Sequence, residues 1–127
     1  MRITQVRRQL LEVLFEAGEP LTLNEIRDRA VAKGTSPDYA TVFRMVSLLE
    51  QMRVVKKVNL QRACSYFELR DPARHYDHLV CTGCGKVVLL DLPCPVEQYS
   101  ERLQSTYGFR ADGHSLEFFG QCRECVV

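Results

Sequence analysis

The chain lacks several things that would fix its class at once. No run of about 18 apolar residues occurs, which excludes a membrane-spanning helix. The first residues, Met-Arg-Ile-Thr-Gln-Val-Arg-Arg, lead into no apolar segment of the kind a secretion signal needs, so a cytoplasmic location is expected. Net charge is nearly absent: 17 Lys and Arg stand against 16 Asp and Glu, for +1. That excludes a uniformly basic nucleic-acid coat. Internal repeats and low-complexity tracts are missing. So are a nucleophile elbow, an H-E-x-x-H pair and a Gly-rich phosphate loop, which leaves no recognisable catalytic apparatus.

What is present is a 127-residue chain, 46% apolar and 26% charged, long enough for one or two small domains with a core. The charge is unevenly spread. Residues 1–69 carry 11 basic and 8 acidic side chains, and residues 70–127 carry 6 and 8. All three histidines and five of the six cysteines lie in the second part. Two partners of different chemistry are implied.

Hydrophobic spacing predicts helices over 4–16, 23–32 and from about 36 to 51. Thr22 and Glu25 form a capping-box pattern, and Gly34 suits the turn that closes the second helix. Ser36-Pro37-Asp38 reads as the third helix start, with Ser36 as N-cap. Val54–Val58 and Ser65–Leu69 read as a β-hairpin. Three short helices and a hairpin with basic residues Lys56, Lys57 and Arg62 predict a winged helix-turn-helix that binds DNA. Residues 70–76 read as a hinge. Beyond it, strands are expected at 79–80, 87–90 and 116–119, and a helix from Pro95 to Tyr107 with Val96, Tyr99, Leu103 and Tyr107 as its apolar stripe. The fold class is therefore α+β: a winged helix over 1–69, then a small α/β unit over 77–127.

Cys81-x-x-Cys84 and Cys122-x-x-Cys125 are separated by 37 residues. A C-x-x-C turn points two thiolates at one spot. Two such knuckles complete a four-thiolate set suited to a structural Zn²⁺. A reducing compartment disfavours disulfides, and no βαβ pattern supports a redox pair. A unit of about 50 residues also needs such a staple. His75, Asp77, Glu97 and His114 offer a second, N₂O₂ set for Fe²⁺, Zn²⁺, Mn²⁺ or Co²⁺. Taken as residues alone, these four are equally readable as scattered surface polar groups. Cys64 reads as a half-buried wing residue, and Cys94, between two prolines, as structural or incidental.

Thr4-x-x-Arg7, Ala40-Thr41-Val42-Phe43-Arg44, Phe67-Glu68-Leu69, His75-x-Asp77-His78-Leu79-x-Cys81-x-x-Cys84-Gly85-Lys86 and His114-Ser115-Leu116-x-x-x-Gly120-x-Cys122-x-x-Cys125 resemble, in order, the ferric uptake regulator family. The resemblance implies a homodimeric, metal-dependent transcriptional repressor. It would control iron or zinc homeostasis genes from a palindromic, AT-rich operator. It implies DNA contacts from Ser36, Tyr39, Thr41, Phe43 and Arg44, structural zinc at Cys81, Cys84, Cys122 and Cys125, and a regulatory metal at His75, Asp77, Glu97 and His114. The family's further metal site between the two domains is reduced here to Glu68 and His78. Tyr76 stands where a His is usual, and the first half has no His. Two readings of other kinds accompany this one: a zinc-stapled protein-interaction module, and a metallohydrolase.

Overall fold

A computed structural model describes residues 3–70, 77–96 and 98–126. The chain divides into two compact units, 1–74 and 75–127. Residues 71–76 of the expected hinge 70–76, with His75 and Tyr76, and residue Glu97 lie outside the described residues.

The first unit holds three helices, α1 (Ile3–Ala17), α2 (Leu23–Ala32) and α3 (Tyr39–Gln51), followed by strands β1 (Val55–Val58) and β2 (Tyr66–Leu69). Its core follows the helical spacing. Val6, Leu10 and Val13 of α1, Ile26 and Ala30 of α2, and Val42, Val46 and Leu49 of α3 are almost fully removed from water. Burial of each Val, Leu or Ile among them contributes roughly 1.5–3 kcal/mol against leaving it exposed. Helix α2 begins with a complete capping box: the Thr22 hydroxyl accepts from the Glu25 N–H, and the Glu25 carboxylate accepts from the Thr22 N–H at 3.0 Å. In the turn before α3, the Thr35 hydroxyl lies 2.7 Å from Gln9 Oε1 and 3.2 Å from the Ala30 carbonyl. That ties the turn to both earlier helices.

The N-cap of α3 is Asp38, not Ser36. Its carboxylate accepts from the Thr41 N–H at 2.8 Å. Pro37 is buried just ahead of it, and Ser36 is exposed. A carboxylate satisfies an orphan N–H and also favours the positive end of the helix, so it outcompetes the serine two residues back.

β1 and β2 pair antiparallel, with Lys56 opposite Glu68. Leu21 adds a bridge to Phe67 through two backbone hydrogen bonds of 2.9 and 2.8 Å. The wing is thus anchored to the segment between α1 and α2.

The second unit is a three-stranded sheet of β3 (Asp77–Cys81), β4 (Val87–Leu90) and β5 (Glu117–Gly120), with α4 (Tyr99–Tyr107) between β4 and β5. β3 is central. It pairs antiparallel with β4 and parallel with β5. The parallel pair requires a long connection, which is where α4 fits. Helix α4 starts at Tyr99 rather than Pro95, after a tight turn in which the Tyr99 N–H donates to the Val96 carbonyl at 3.1 Å. None of its residues is fully buried: of the expected apolar stripe, Val96 and Leu103 are half-buried, and Tyr99 and Tyr107 are 46% and 73% exposed. Among the described residues, no helix is long and apolar enough to cross a membrane.

Candidate metal centres and nucleic-acid interface

The two knuckles meet. The sulfurs of Cys81, Cys84, Cys122 and Cys125 all lie within 4.8 Å of one another. Cys81 ends β3 and pairs with Gly120 of β5, which brings the second knuckle alongside the first. Thr82 reinforces this, its N–H donating to the Gly120 carbonyl at 2.7 Å. Each turn closes on itself: the Gly85 N–H bonds the Cys81 carbonyl, and the Cys125 N–H bonds the Cys122 carbonyl, both at 2.9 Å.

A metal bonded to four sulfurs at about 2.3 Å has sulfur–sulfur edges of about 3.8 Å. The Cys84 and Cys122 sulfurs stand 3.7 Å apart. Gly83 shows how closely the cradle is built. A Cβ there would lie 2.9 Å from the Cys125 sulfur and 3.0 Å from its Cβ. Gly85, at φ 81°, makes the turn that follows.

The electrostatics point the same way. Backbone N–H groups of Cys122 and Cys84 donate to the Cys81 sulfur at 3.3 and 3.4 Å and pull its pKa down from 9.0 to about 6. The neighbouring thiols move the other way. Cys125 is pushed up to about 12, first through its hydrogen bond with Cys122, and Cys122 is raised first by the bond it donates to Glu124. The Cys81 thiolate is stabilised, and Cys122 and Cys125 are held protonated beside it. A divalent cation lets all four ionise together. The set fits a structural metal and has no open position for catalysis.

A second cluster stands apart from the first. Asp77, Cys94 and His114 bring a carboxylate oxygen, a sulfur and a ring nitrogen within 4.8 Å. Asp77 is buried at the start of β3, and the His114 side chain is 33% exposed. His114 Nε2 lies 4.0 Å from Asp77 Oδ1 and 3.0 Å from Cys94 Sγ. The sequence pairs Asp77 with His114, and the structure brings them together. β5 begins at Glu117, within a residue of the expected start at 116, and His114 sits in the loop before it. His75 and Glu97, the other two expected ligands, fall outside the described residues.

Cys94 is the residue that the sequence reading missed. It belongs to no spaced motif, and its one signal is arithmetic: four of six cysteines make the knuckles and two are left over. Cys64, the other, is exposed rather than half-buried.

Glu68 and His78 belong to different units. His78 is buried, with Nδ1 3.8 Å from Glu117 Oε1. Leu21, bridged to Phe67 beside Glu68, is a buried aliphatic residue and offers no ligand atom.

On α3, the face opposite the core carries Tyr39, Phe43 and Arg44, all exposed, with Thr41 half-buried at the start. In the wing, Lys57 and Arg62 are exposed and Lys56 is half-buried. Arg62 is steadied by Tyr66: its Nη1 donates to the phenol oxygen at 3.2 Å, and its guanidinium lies 5.4 Å from the ring centre. Lys57 lies 6.0 Å from the Phe67 ring centre.

The sheet of the second unit also shows an apolar row. Leu79 has Val88 and Phe118 as its cross-strand partners, and the three are 38%, 38% and 46% exposed.

Comparison with known proteins agrees with this architecture. The model of the ferric uptake regulator family matches residues 1–119. A ferric uptake regulation protein of Escherichia coli K12 is 30% identical over 98% of this chain and 83% of its own length. The crystal structure of the Vibrio cholerae ferric uptake regulator is 28% identical, with a TM-score of 0.73 over 96% of this chain and 92% of that one. A zinc-bound manganese uptake regulator is likewise 28% identical, with a TM-score of 0.68 over 96% of this chain and 91% of that one.

Proposed function

Because this chain belongs to the ferric uptake regulator family, it is a metal-responsive transcriptional repressor of metal-homeostasis genes and not an enzyme, and we propose the following division of labour among its residues. The first unit reads DNA. Arg44, Tyr39 and Phe43, with Ser36 and Thr41 at the helix start, face the major groove. Arg44 reaches base edges, and the Phe43 ring suits a thymine methyl. Lys56, Lys57 and Arg62 meet phosphate, which supplies affinity and salt dependence rather than sequence choice.

The second unit joins two copies. An aligned apolar row on an exposed sheet face, Leu79 with Val88 and Phe118, supports a homodimer. Two recognition helices then address the half-sites of a palindrome, AT-rich by family resemblance. Such a protein works where the DNA is, in the cytoplasm. Zn²⁺ at Cys81, Cys84, Cys122 and Cys125 staples this unit. A second divalent ion at His75, Asp77, Glu97 and His114 is the signal. Its binding shifts the population of dimers toward the spacing that fits both half-sites, with a coupling of about 1–3 kcal/mol. Glu68 and His78 are a remnant that holds no metal tightly.

The observation that carries this reading is the convergence of Asp77 and His114, 37 positions apart in sequence, in the unit that also builds a four-thiol cradle. Relatives that match it include both ferric and manganese regulators, so Fe²⁺, Zn²⁺ and Mn²⁺ are all candidates for the sensed ion. Footprinting on DNA upstream of metal-uptake genes tests the proposal. Palindromic protection that appears with one of these ions and vanishes with chelator is expected. Protection indifferent to metal, or none, removes it.

A further inference from the structure

Pro93-Cys94-Pro95 belongs to none of the chain's recognisable motifs. Two prolines restrict the backbone on both sides of the cysteine and keep it out of the helix that follows. This stiff segment holds the Cys94 sulfur 3.0 Å from His114 Nε2 and 3.7 Å from Asp77 Oδ1. The third side of the triangle, from His114 Nε2 to Asp77 Oδ1, is 4.0 Å. Metal bonds of about 2.0–2.3 Å in a tetrahedron require donor separations of about 3.3–3.8 Å. The three donors therefore surround one position, and closing on a single ion there asks the His114–Cys94 side to open by about 0.5 Å and the His114–Asp77 side to shorten by about 0.7 Å, movements within reach of a side-chain rotation at the partly exposed His114. The Asp77 side chain is 1% exposed, so its carboxylate is fixed in place and poorly solvated. A desolvated carboxylate gains most from a cation.

We propose that Cys94 is a thiolate ligand of the regulatory metal, and that it makes the site selective for Zn²⁺ over Mn²⁺. This rests on the reading of Asp77 and His114 as regulatory ligands and adds to it a donor of a different kind. A site of imidazoles and carboxylates alone has little bias beyond the general affinity order of the ions. A thiolate is soft and favours Zn²⁺, and Co²⁺ as its spectroscopic stand-in, over the harder Mn²⁺. On binding, the sulfur–metal bond forms as the Cys94 S–H bond breaks, and the proton goes to solvent.

The test is cobalt titration of protein that already carries one zinc per chain. The variants are Cys94→Ser and His114→Ala, with retained zinc reporting that the second unit is folded. Wild type should take one Co²⁺ with visible bands of a tetrahedral ion and a near-ultraviolet sulfur-to-cobalt charge-transfer band. Cys94→Ser should keep the visible bands and lose the charge-transfer band. Its Zn²⁺ affinity should fall about 100-fold or more, past the range of a supporting contact, and its Mn²⁺ affinity by much less. His114→Ala should lose the second ion. A charge-transfer band and Zn²⁺ affinity unchanged in Cys94→Ser, with His114→Ala still losing the ion, overturns the role of Cys94 alone. A wild-type cobalt spectrum in His114→Ala overturns the regulatory site and this proposal with it.

Discussion

Replacing Gly83 by alanine places one methyl group where the four-cysteine cradle has no room. The added Cβ would lie 2.9 Å from the Cys125 sulfur, 3.0 Å from the Cys125 Cβ and 3.6 Å from the Cys81 sulfur. Ordinary non-bonded contact begins at about 3.5 Å, so Cys125 must retreat by more than about 0.5 Å. It cannot swing away freely, because its N–H is bonded to the Cys122 carbonyl within a closed turn. Metal–ligand distances tolerate about 0.2 Å. The displacement therefore falls on the metal site. Supporting contacts around a metal site are worth about 10–100-fold in affinity, and displacing a ligand sulfur outright should cost more than that. We expect Gly83→Ala to bind zinc at least about 100-fold more weakly, close to 3 kcal/mol. Gly120→Ala is the matched control: its Cβ would meet nothing within 4 Å, although Gly120 pairs with Cys81. Competition against a chromophoric chelator reads both. Wild-type zinc affinity in Gly83→Ala would refute the geometry of the cradle.

Arg44→Ala should weaken operator binding by about 1–3 kcal/mol and leave metal content unchanged, as measured by fluorescence anisotropy and elemental analysis. Equal affinity would place the recognition surface elsewhere. Zinc binding to metal-free protein should strengthen as pH rises. Cys81, near 6, is already ionised at neutral pH, whereas Cys122 is raised and Cys125 lies at about 12. At least those two protons must leave, so the logarithm of affinity should climb with a slope of about two or more between about pH 7 and 8. A flat profile would contradict the assignment of these thiols as ligands.

The helical half of the fold was legible because period-3.6 burial and local capping coincide there. Val42, Met45, Val46 and Leu49 repeat at helical spacing and all four are buried, and Thr22 with Glu25 caps α2 as its pattern predicts. The start of α3 was misread for a local reason: Ser36 and Asp38 both fit an N-cap, and only the backbone decides between them. Tyr99, Leu103 and Tyr107 repeat at helical spacing as well, yet α4 fully buries none of them within one chain. An apolar stripe reports a need for burial and does not name the partner. The bridge from Leu21 to Phe67 pairs residues 46 positions apart, and nothing local signals it. At the metal centres, paired C-x-x-C turns announce themselves because their spacing is short. Cys94 does not, since it reaches Asp77 and His114 only through the tertiary fold.

In the proposed mechanism this repressor senses its metal through His114 and its neighbours and not through the remnant that contains Glu68. Operator binding of wild type, His114→Ala and Glu68→Ala, each titrated with Zn²⁺, Fe²⁺ and Mn²⁺, tests it directly. His114→Ala should lose metal-dependent binding while keeping one zinc per chain, and Glu68→Ala should respond nearly as wild type does. Loss of the metal response in Glu68→Ala with a normal response in His114→Ala would contradict it.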